Sequence, residues 1–403
     1  KRVIGTNKLN KGGTSMRQRE EIQLYLYRLI HGEEPGILTD FLLGVLHIFS
    51  VIYGWAVLCK LALYKYGILT QHKLACHVIS LGNITVGGTG KTPTAQRLAT
   101  IIRDMGYRVV ILNRGYRAGW RGQIGLVSDG EKIYMSAAEA GDEAYLLAKS
   151  LPKVSVVIGS NRIITGEYAV NELKADVIIL DDGFQHWQLA RDLDIVLIDS
   201  LNMFGNQFML PRGTLREPLS NLSRAQIFLL TKIDQSSLEA REMIYSTLNQ
   251  YNKKALVVES IHKPRCFVEI EEWYKGTIGR KNVPLESVHG HKVLAFSAIG
   301  NPSSFEQTIL DLGVSDVCGV RYVDHHDYTM AEMQYIMQKA VDEKVYALVT
   351  TEKDAVKIPA EFIHSDRPLP LYVLSIAVFF TEGYEDLMGL IKKVENKQDD
   401  AEN

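Results

Sequence analysis

The stretch VISLGNITVGGTGKTP, residues 78–93, decides the fold predicted for this chain. It combines a short apolar strand, a glycine-rich turn and a helix that opens at Lys91. Glycines let a backbone approach anionic oxygens closely, and a helix N-terminus adds partial positive charge. Lys91 can reach the β- and γ-phosphates of a nucleotide, and the Thr92 hydroxyl can bind Mg²⁺. The loop residues expected to contact the phosphates are Gly87, Gly88, Thr89 and Gly90.

The loop departs from the usual phosphate-loop pattern at one position. Thr85 stands where G-x-x-x-x-G-K-[ST] has its first glycine. A flexible loop before an ordinary helix is therefore the alternative interpretation. The strand before the loop, the helix after it and the GKT sequence at the junction favour a nucleotide site. The stretch predicts that the chain binds a nucleoside triphosphate.

A second apolar run, VIILDDG at residues 177–183, supplies the carboxylates that such a loop needs. Uninterrupted apolar runs are typical of buried parallel strands, and ligands bind at the carboxyl ends of those strands. Adjacent side chains on a strand point to opposite faces. We therefore expect different roles for Asp181 and Asp182, one near Mg²⁺ and one nearer the transferred phosphate. An ordinary Asp-Asp-Gly turn is the alternative.

Composition excludes several classes of protein. A chain of 403 residues allows two or three domains, and a net charge of −2 gives no general attraction to nucleic acid, so no nucleic-acid partner is predicted. The four cysteines lie far apart without a C-x-x-C pair. This spacing argues against a zinc site and against a disulfide framework, and it predicts thiols without a chemical role.

The N-terminal region contains a candidate membrane helix. Residues 1–15 are polar and precede Met16, so we interpret them as upstream or added residues and exclude them from the fold prediction. From Phe41 to Cys59 no residue carries a formal charge. Such a helix is about long enough to cross a hydrocarbon core of roughly 30 Å. No small-residue cleavage site follows it, which argues against a removable signal peptide.

Flanking charges predict how this segment is oriented. Lysines follow it and acidic residues precede it, which predicts that the rest of the chain lies in the cytoplasm. A buried or surface-lying amphipathic helix is the alternative, because Gly44, Ser50 and Gly54 reduce its apolar character. Spanning and lying on the bilayer both remain open. Residues 16–70 are therefore predicted to form a membrane-associated segment that contacts the membrane surface.

Beyond this segment, strand and helix patterns alternate, which predicts an α/β fold with a parallel sheet and helices on both faces. We expect a P-loop NTPase-like core at residues 71–255, a second, smaller α/β domain at 256–391 and a charged tail at 392–403. The string TKID at residues 231–234 lacks the Asn of the guanine-selecting N-K-x-D motif. ATP is therefore preferred over GTP.

Several polar clusters follow the predicted core strands, where parallel strands would bring them to one edge of the sheet. Each cluster alone could equally be solvated surface. In the second domain, Asp327, His325 and His326 follow a predicted strand and could belong to a functional site. The alternatives are that Asp327 is the N-cap of the next helix and that the two histidines lie on the surface. Side chains one residue apart diverge, so metal binding by both His325 and His326 is disfavoured.

Eight motifs follow one another along the chain: GNITVGGTGKT (82–92), RGY (114–116), GDE (141–143), LDDGFQH (180–186), LPRG (210–213), LREP (215–218), DH (324–325) and TTEKD (350–354). Taken in this order, they resemble the tetraacyldisaccharide 4′-kinase family of lipid A biosynthesis, from about residue 20 to 390. The resemblance implies an N-terminal membrane-associated helix, a P-loop core and a smaller C-terminal domain that closes over ATP.

The resemblance also implies a reaction and its catalytic groups. The family transfers the ATP γ-phosphate to the 4′-hydroxyl of an acylated glucosamine disaccharide 1-phosphate lipid, which gives lipid IVA at the cytoplasmic face of the inner membrane. Asp142 matches the family's catalytic carboxylate, and His325 matches a histidine that works with it. Since the two lie in different predicted domains, we expect them to meet only on domain closure. The metal ligands would be Thr92, Asp181 and Asp182.

The remaining site residues are expected on the substrate side. Lys91 would contribute to catalysis, and arginines would add positive charge around the transferred phosphate. Asn113 departs from the family pattern, because a serine often precedes the Arg-Gly-Tyr motif. The positions expected to bind substrate are Arg114, Tyr116, Arg162, His186, Arg216 and Glu217.

The sequence also allows two other functions. A membrane-associated P-loop regulatory ATPase or GTPase would hydrolyse nucleotide without any lipid. A structural membrane module with a degenerate loop would bind no nucleotide at all.

Overall fold

The computed structural model describes residues 36–276 and 280–395, and a single mixed sheet of twelve strands runs through this part of the chain. The strands are β1 His77–Gly82, β2 Val109–Asn113, β3 Gly125–Ser128, β4 Ser155–Ile158, β5 Val177–Asp181, β6 Leu193–Asp199, β7 Ile227–Thr231, β8 Leu256–Glu269, β9 Lys292–Ser297, β10 Asp316–Arg321, β11 Ala347–Thr351 and β12 Leu371–Phe380.

Helices cover both faces of this sheet, as expected where a strand is joined to a parallel neighbour by a crossover. They are α1 Ile37–Lys65, α2 Lys91–Asp104, α3 Ala137–Ala140, α4 Asp142–Ser150, α5 Arg162–Asn171, α6 Leu238–Tyr251, α7 Ile270–Lys275, α8 Pro302–Leu310, α9 Met330–Asp342, α10 Glu352–Ala355, α11 Ala360–Ile363 and α12 Tyr384–Glu395. Short 3₁₀ turns cover Leu219–Arg224, Ile233–Gln235 and Leu285–Val288.

The strand that precedes the glycine-rich loop lies in the middle of the first half of the sheet. The order there is β8-β7-β6-β1-β5-β2-β4-β3, and all neighbours are parallel except the β3 edge strand. Every residue of β1 and β5 is buried, which explains their unbroken apolar sequence. Leu81 pairs with Asp181, so the glycine-rich loop and the Asp-Asp pair leave the sheet at the same edge. The predicted α/β fold is confirmed.

The second half of the sheet continues from the other side of β8, in the order β10-β9-β11-β12-β8. The first residues of β8, Leu256–Glu259, pair in parallel with β7. The rest of the strand, from Ser260 to Glu269, pairs antiparallel with β12. The predicted boundary between residues 255 and 256 falls at the start of β8, and one continuous strand passes from one half of the sheet into the other.

Each half also buries a helix in the core of the other half. Leu146 of α4 belongs to the hydrophobic cluster that contains Phe296 and Met333 of the second half. In return, Leu387 and Ile391 of α12 lie in the main cluster of the first half. Burial of a leucine side chain contributes about 2 kcal/mol, so these exchanged helices stabilise the contact between the halves.

The N-terminal helix α1 contacts the rest of the protein along one face only. The Ser50 hydroxyl donates to the Met209 carbonyl at 2.7 Å, and the Tyr53 hydroxyl donates to the Arg216 carbonyl at 3.1 Å. The other face exposes large apolar side chains, including Phe41, Phe49, Ile52 and Trp55. By length and composition, α1 is the one helix of the described residues that could cross a membrane. Residues 16–35 of the predicted membrane segment lie outside the described residues.

The four cysteines are free, as the sequence predicted. Two details of the secondary structure bear on the site. Strand β7 ends at Thr231, where Lys232 takes a left-handed conformation and a 3₁₀ turn begins. A break at Gly141 separates helices α3 and α4.

Candidate active site

The glycine-rich loop joins the end of β1 to the start of α2, as the sequence predicted. Gly90 has φ 81°, a left-handed conformation that glycine adopts without strain, and α2 begins at the next residue. A Cβ atom on Gly90 would lie 2.7 Å from Cε1 of His262, so β8 packs directly against this loop. The Thr231 hydroxyl donates to the Thr89 carbonyl at 3.1 Å and ties the loop to the end of β7.

Lys91 is held at the mouth of the sheet by two oxygen partners. Its ammonium donates to Oδ1 of Asn83 at 3.1 Å and lies 3.4 Å from Oδ1 of Asp182. The side chain is 18% exposed. The ammonium is therefore placed at the loop before any phosphate is bound. Gly87, Gly88 and Thr92 lie in the same turn, and Thr92 is the second residue of α2.

The two adjacent aspartates occupy different environments, as expected from the strand geometry. Asp182 has φ 55°, and its carboxylate accepts from Nη1 of Arg216 at 2.7 Å. Burial alone would raise the pKa of Asp182, but the charges of Lys91 and Arg216 hold it at about 2. Asp182 is therefore ionised near neutral pH and belongs to a network of charges with Lys91.

Asp181 is buried, and its Oδ2 accepts from the Asn113 side chain at 2.7 Å. Burial, together with the charges of Glu143 and Asp182, raises the pKa of Asp181 to about 7. The charge of Lys91 lowers the pKa of Asp181 and partly offsets this rise. Asp181 is therefore close enough to interact electrostatically with Lys91 and with Glu143, the residue that follows Asp142.

Asp142 is positioned by the break between α3 and α4. Gly141 has φ 83°, and a Cβ atom there would lie 2.6 Å from the Tyr116 carbonyl oxygen. Only glycine fits this turn, which makes Asp142 the first residue of α4. Burial opposes ionisation of Asp142, but His325, Lys357 and Lys353 hold the pKa of the carboxyl below its usual value.

His325 comes from the second half of the sheet and meets Asp142. Its Nδ1 lies 3.7 Å from Oδ2 of Asp142, and its Nε2 lies 3.2 Å from the Lys353 ammonium. An ammonium can only donate, so Lys353 can bond Nε2 only when that nitrogen carries no hydrogen, and Nδ1 then carries the hydrogen that faces Asp142. His325 has φ 63°, and its carbonyl accepts from Nη1 of Arg117 at 2.8 Å.

The structure therefore brings the two residues of the predicted pair together. Its expected dependence on domain closure stays a prediction. His326, by contrast, bonds Glu332 at 3.1 Å and stacks on Tyr322, so the two adjacent histidines diverge as expected.

Two arginines, Arg162 and Arg114, lie near the neutral His186 beside the Asp-Asp strand. Arg162 is 5% exposed, donates to the Gly159 carbonyl at 2.8 Å and has its pKa lowered to about 10 by burial. Burial and the neighbouring arginines, Arg162 foremost, lower the pKa of His186 to about 4, so this imidazole is neutral near pH 7. Its Nε2 is buried without a hydrogen-bond partner among the described residues.

The other predicted substrate residues are more dispersed. Tyr116 is 61% exposed and lies edge-on to His325 with ring centroids 5.9 Å apart. Arg216 donates to Asp182 and Gln185, while its carbonyl supports α1 through Tyr53. Glu217 is 1% exposed and bonded by Arg224 and Asn221, which are the contacts of an anchor for its loop.

Sequence reasoning assigned no role to four residues that touch this site: Asn83, Arg117, Lys353 and Lys357. Asn83 bonds Lys91, and Arg117 bonds the His325 backbone. Lys353 contacts His325, and Lys357 lies 3.7 Å from Asp142. The sequence does contain one indication for the two lysines. Lys353 and Lys357 are four residues apart, and residues at that spacing on a helical turn lie on the same face.

Comparisons with known proteins identify the family of this chain. A family model described as tetraacyldisaccharide-1-P 4′-kinase matches residues 42–394. The chain belongs to the tetraacyldisaccharide 4′-kinase family. It is therefore a kinase, and both the predicted fold and the predicted family are confirmed.

Relatives of this kinase match over most of their length. The tetraacyldisaccharide 4′-kinase of Halothermothrix orenii is 38% identical over 380 residues, which cover 93% of this chain and 98% of that protein. The one from Syntrophus aciditrophicus is 38% identical over 85% of this chain and 91% of its own. A crystal structure of LpxK from Aquifex aeolicus in complex with ATP has a TM-score of 0.68 and 30% identity, and covers 88% of this kinase and 99% of that chain.

Proposed function

We propose that this kinase transfers the γ-phosphate of ATP to the 4′-hydroxyl of a tetraacylated glucosamine disaccharide 1-phosphate, which gives lipid IVA. The observation that carries the proposal is the Asp142–His325 contact of 3.7 Å beside a phosphate loop that already holds Lys91. A sugar hydroxyl is a poor nucleophile near pH 7, so a positioned carboxylate that accepts its proton fits the reaction.

In the proposed reaction the 4′-oxygen attacks the γ-phosphorus while the bond from that phosphorus to the β–γ bridging oxygen breaks. ADP leaves with the electron pair of the broken bond, and the hydroxyl proton passes to the Asp142 carboxylate. His325 donates through Nδ1 to that carboxylate and keeps it oriented. Lys91 stabilises negative charge on the phosphate oxygens, a contact that becomes stronger in the transition state.

The donor set around the loop fits Mg²⁺. Mg²⁺ is usually held by one or two carboxylates together with phosphates and water, so it needs no complete protein cage. The described residues contain no group of three His, Cys, Asp or Glu side chains that could hold a metal alone. The Thr92 hydroxyl, Asp181 and Asp182 would hold the ion. When bound with ATP, Mg²⁺ would neutralise charge on the phosphates.

The raised pKa of Asp181 is a reason to expect a cation there. A buried carboxylate with a pKa of about 7 is poorly compensated by its protein neighbours. A bound divalent cation would favour its ionised form. Asp182 is compensated already by Lys91 and Arg216, so it would hold the ion on the side nearer the transferred phosphate.

The membrane is the proposed location of the acceptor lipid. The exposed apolar face of α1 fits contact with a bilayer, and its inner face is bonded to the loop that carries Arg216. Lysines follow the helix, which supports the cytoplasmic face of the inner membrane as the location of the kinase. Arg114, Arg162 and His186 would then face the polar part of the acceptor.

A phosphotransfer assay tests this function. Protein purified in detergent is incubated with labelled ATP, Mg²⁺ and the disaccharide 1-phosphate, and the lipid product is identified by mass spectrometry. A product heavier by one phosphate supports the proposal, and Asp142→Ala serves as the inactive control. ATP hydrolysis without lipid phosphorylation would support the regulatory ATPase, which the kinase relatives make the weaker alternative.

A further inference from the structure

Lys357 places a buried cation beside Asp142. Its side chain is 1% exposed, and its ammonium forms no hydrogen bond to any described residue. The ion-pair partner of the ammonium is Asp142, whose Oδ2 lies 3.7 Å away. Burying an ammonium without hydrogen bonds is costly, and replacing a whole buried ion pair by apolar residues of similar volume is often neutral or stabilising. The position therefore fits a role in the reaction better than a role in stability.

A short helical turn holds Lys357 in place. Asp354 in α10 is buried and accepts from the Ala298 amide, the Tyr328 hydroxyl and the Thr351 hydroxyl. The Lys357 amide donates to the Asp354 carbonyl at 2.9 Å, so the turn continues to that residue. The anchored turn directs Lys357 towards Asp142 from the second half of the sheet.

Lys353 and Lys357 are four residues apart, so they lie on the same face of this turn. Each approaches one member of the catalytic pair. Lys353 contacts Nε2 of His325, and Lys357 approaches the carboxylate of Asp142. The charged and titratable groups around Asp142 are His325, Lys353 and Lys357 from the second half and Glu143 on its own helix.

We propose that Lys357 is a positioning residue of the transfer reaction: its ammonium keeps the Asp142 carboxylate ionised and oriented towards the acceptor hydroxyl. This inference rests on the proposed function and on Asp142 as the proton acceptor. Asp142 is largely buried, and burial favours a protonated carboxyl that cannot accept a proton. Lys357 opposes that effect without contacting the substrate.

The test compares Lys357→Met, which removes the charge at similar volume, with Lys357→Arg, which keeps it. Lys344→Met, at an exposed position in the same half of the sheet, is the matched control. For each protein kcat, KM for ATP and the melting temperature are measured between about pH 6 and 9, the range in which a carboxylate base with a raised pKa would titrate.

We expect Lys357→Met to lower kcat roughly 10- to 100-fold at pH 7, within the usual contribution of a positioned acid or base. The ratio of its kcat/KM to that of the wild type should fall further as the pH falls, because Asp142 then takes up a proton. KM for ATP should change less than about twofold, since Lys357 does not hold the nucleotide. The melting temperature should fall most at high pH, where Asp142 is left ionised without its partner, and least at low pH, where Asp142 is protonated.

Lys357→Arg should restore the wild-type pH dependence even where its kcat is reduced by its larger size. A Lys357→Met protein with wild-type kcat at every pH would overturn the inference. An activity loss and a fall in melting temperature that are both constant with pH would also overturn it, because they indicate a structural role. Failure of the wild-type protein to phosphorylate the lipid would instead contradict the proposed function.

Discussion

The Asp142 carboxylate and the His325 imidazole lie 3.7 Å apart, although one begins a helix of the first half of the sheet and the other follows a strand of the second half. The contact is supported from both sides. Leu146, one turn further along α4, is buried in the core of the second half, and Arg117 of the first half donates to the His325 carbonyl. The pair is therefore part of the packed interface between the halves.

A double-mutant cycle tests whether the two residues act as one unit. Asp142→Ala and His325→Ala should each lower kcat by roughly 100-fold or more, the scale of general acid–base catalysis. If neither residue contributes to catalysis without the other, kcat of the double variant should be little lower than kcat of either single variant. The measurement is kcat at saturating ATP and lipid. Multiplicative losses would show that the residues act independently.

Lys91→Ala should abolish turnover for a different reason. Loss of the ammonium removes a phosphate contact that strengthens in the transition state, so kcat should fall roughly 100- to 1,000-fold. Binding of the lipid should be unaffected, which an equilibrium vesicle or micelle binding assay can measure. Thr100→Ala, further along the same helix, is a control expected to retain activity. Near-normal kcat in Lys91→Ala would refute the phosphate-loop assignment.

Asp181 and Asp182 should have opposite effects on the pH dependence of stability. In the folded state the pKa of Asp181 is raised from 3.8 to about 7, so its contribution to stability is lost as the pH rises towards 7. Asp181→Asn should therefore raise the melting temperature of the nucleotide-free protein at pH 8, and this gain should disappear below about pH 4.

Asp182 is the matched comparison. Its pKa is lowered from 3.8 to about 2, so it stabilises the fold above pH 4 and loses that contribution only as the pH falls towards 2. Asp182→Asn should lower the melting temperature at pH 8, because Lys91 and Arg216 lose their charged partner. Melting curves in buffer without Mg²⁺ measure both effects. Equal shifts of the same sign in the two variants would contradict the assigned charge states.

The outer face of α1 should determine membrane binding. Replacing Phe49, Ile52 and Trp55 by serine removes about 2 kcal/mol of apolar transfer free energy per side chain, so vesicle binding should fall at least roughly 100-fold. The variant Ser50→Ala/Tyr53→Phe is the control, because it changes the inner face and leaves the apolar face intact. Flotation with lipid vesicles measures the bound fraction. Unchanged flotation of the serine variant would exclude α1 as the membrane contact.

The sequence predicted the parts of the fold that depend on neighbouring residues in the chain. The apolar run of β1, the glycines before Lys91 and the Asp-Asp strand end each indicate their structure within a few residues. The roles of Asp142 and His325 came only from the family resemblance, because no local pattern links residues so far apart. Their contact depends on Leu146 packing in the other half.

The position of Lys357 could not be predicted from the sequence either. As a lysine after a short acidic motif it is typical of solvated surface, and nothing in its neighbourhood of sequence indicates burial. Its position follows from Asp354, which anchors α10 by accepting from Ala298 and Tyr328 in other parts of the second half. Gly141 is a comparable case, because the close approach of the Tyr116 carbonyl that requires a glycine there is visible only in three dimensions.

The continuous strand β8 and the exchanged helices have a consequence for attempts to dissect this kinase into modules. A fragment ending at residue 255 would lack the strand that completes the sheet beside β7 and would expose Leu146 to solvent. The complementary fragment would carry α12 with Leu387 and Ile391 unburied. Neither half is expected to be soluble when expressed alone, and the intact chain should melt in a single cooperative transition.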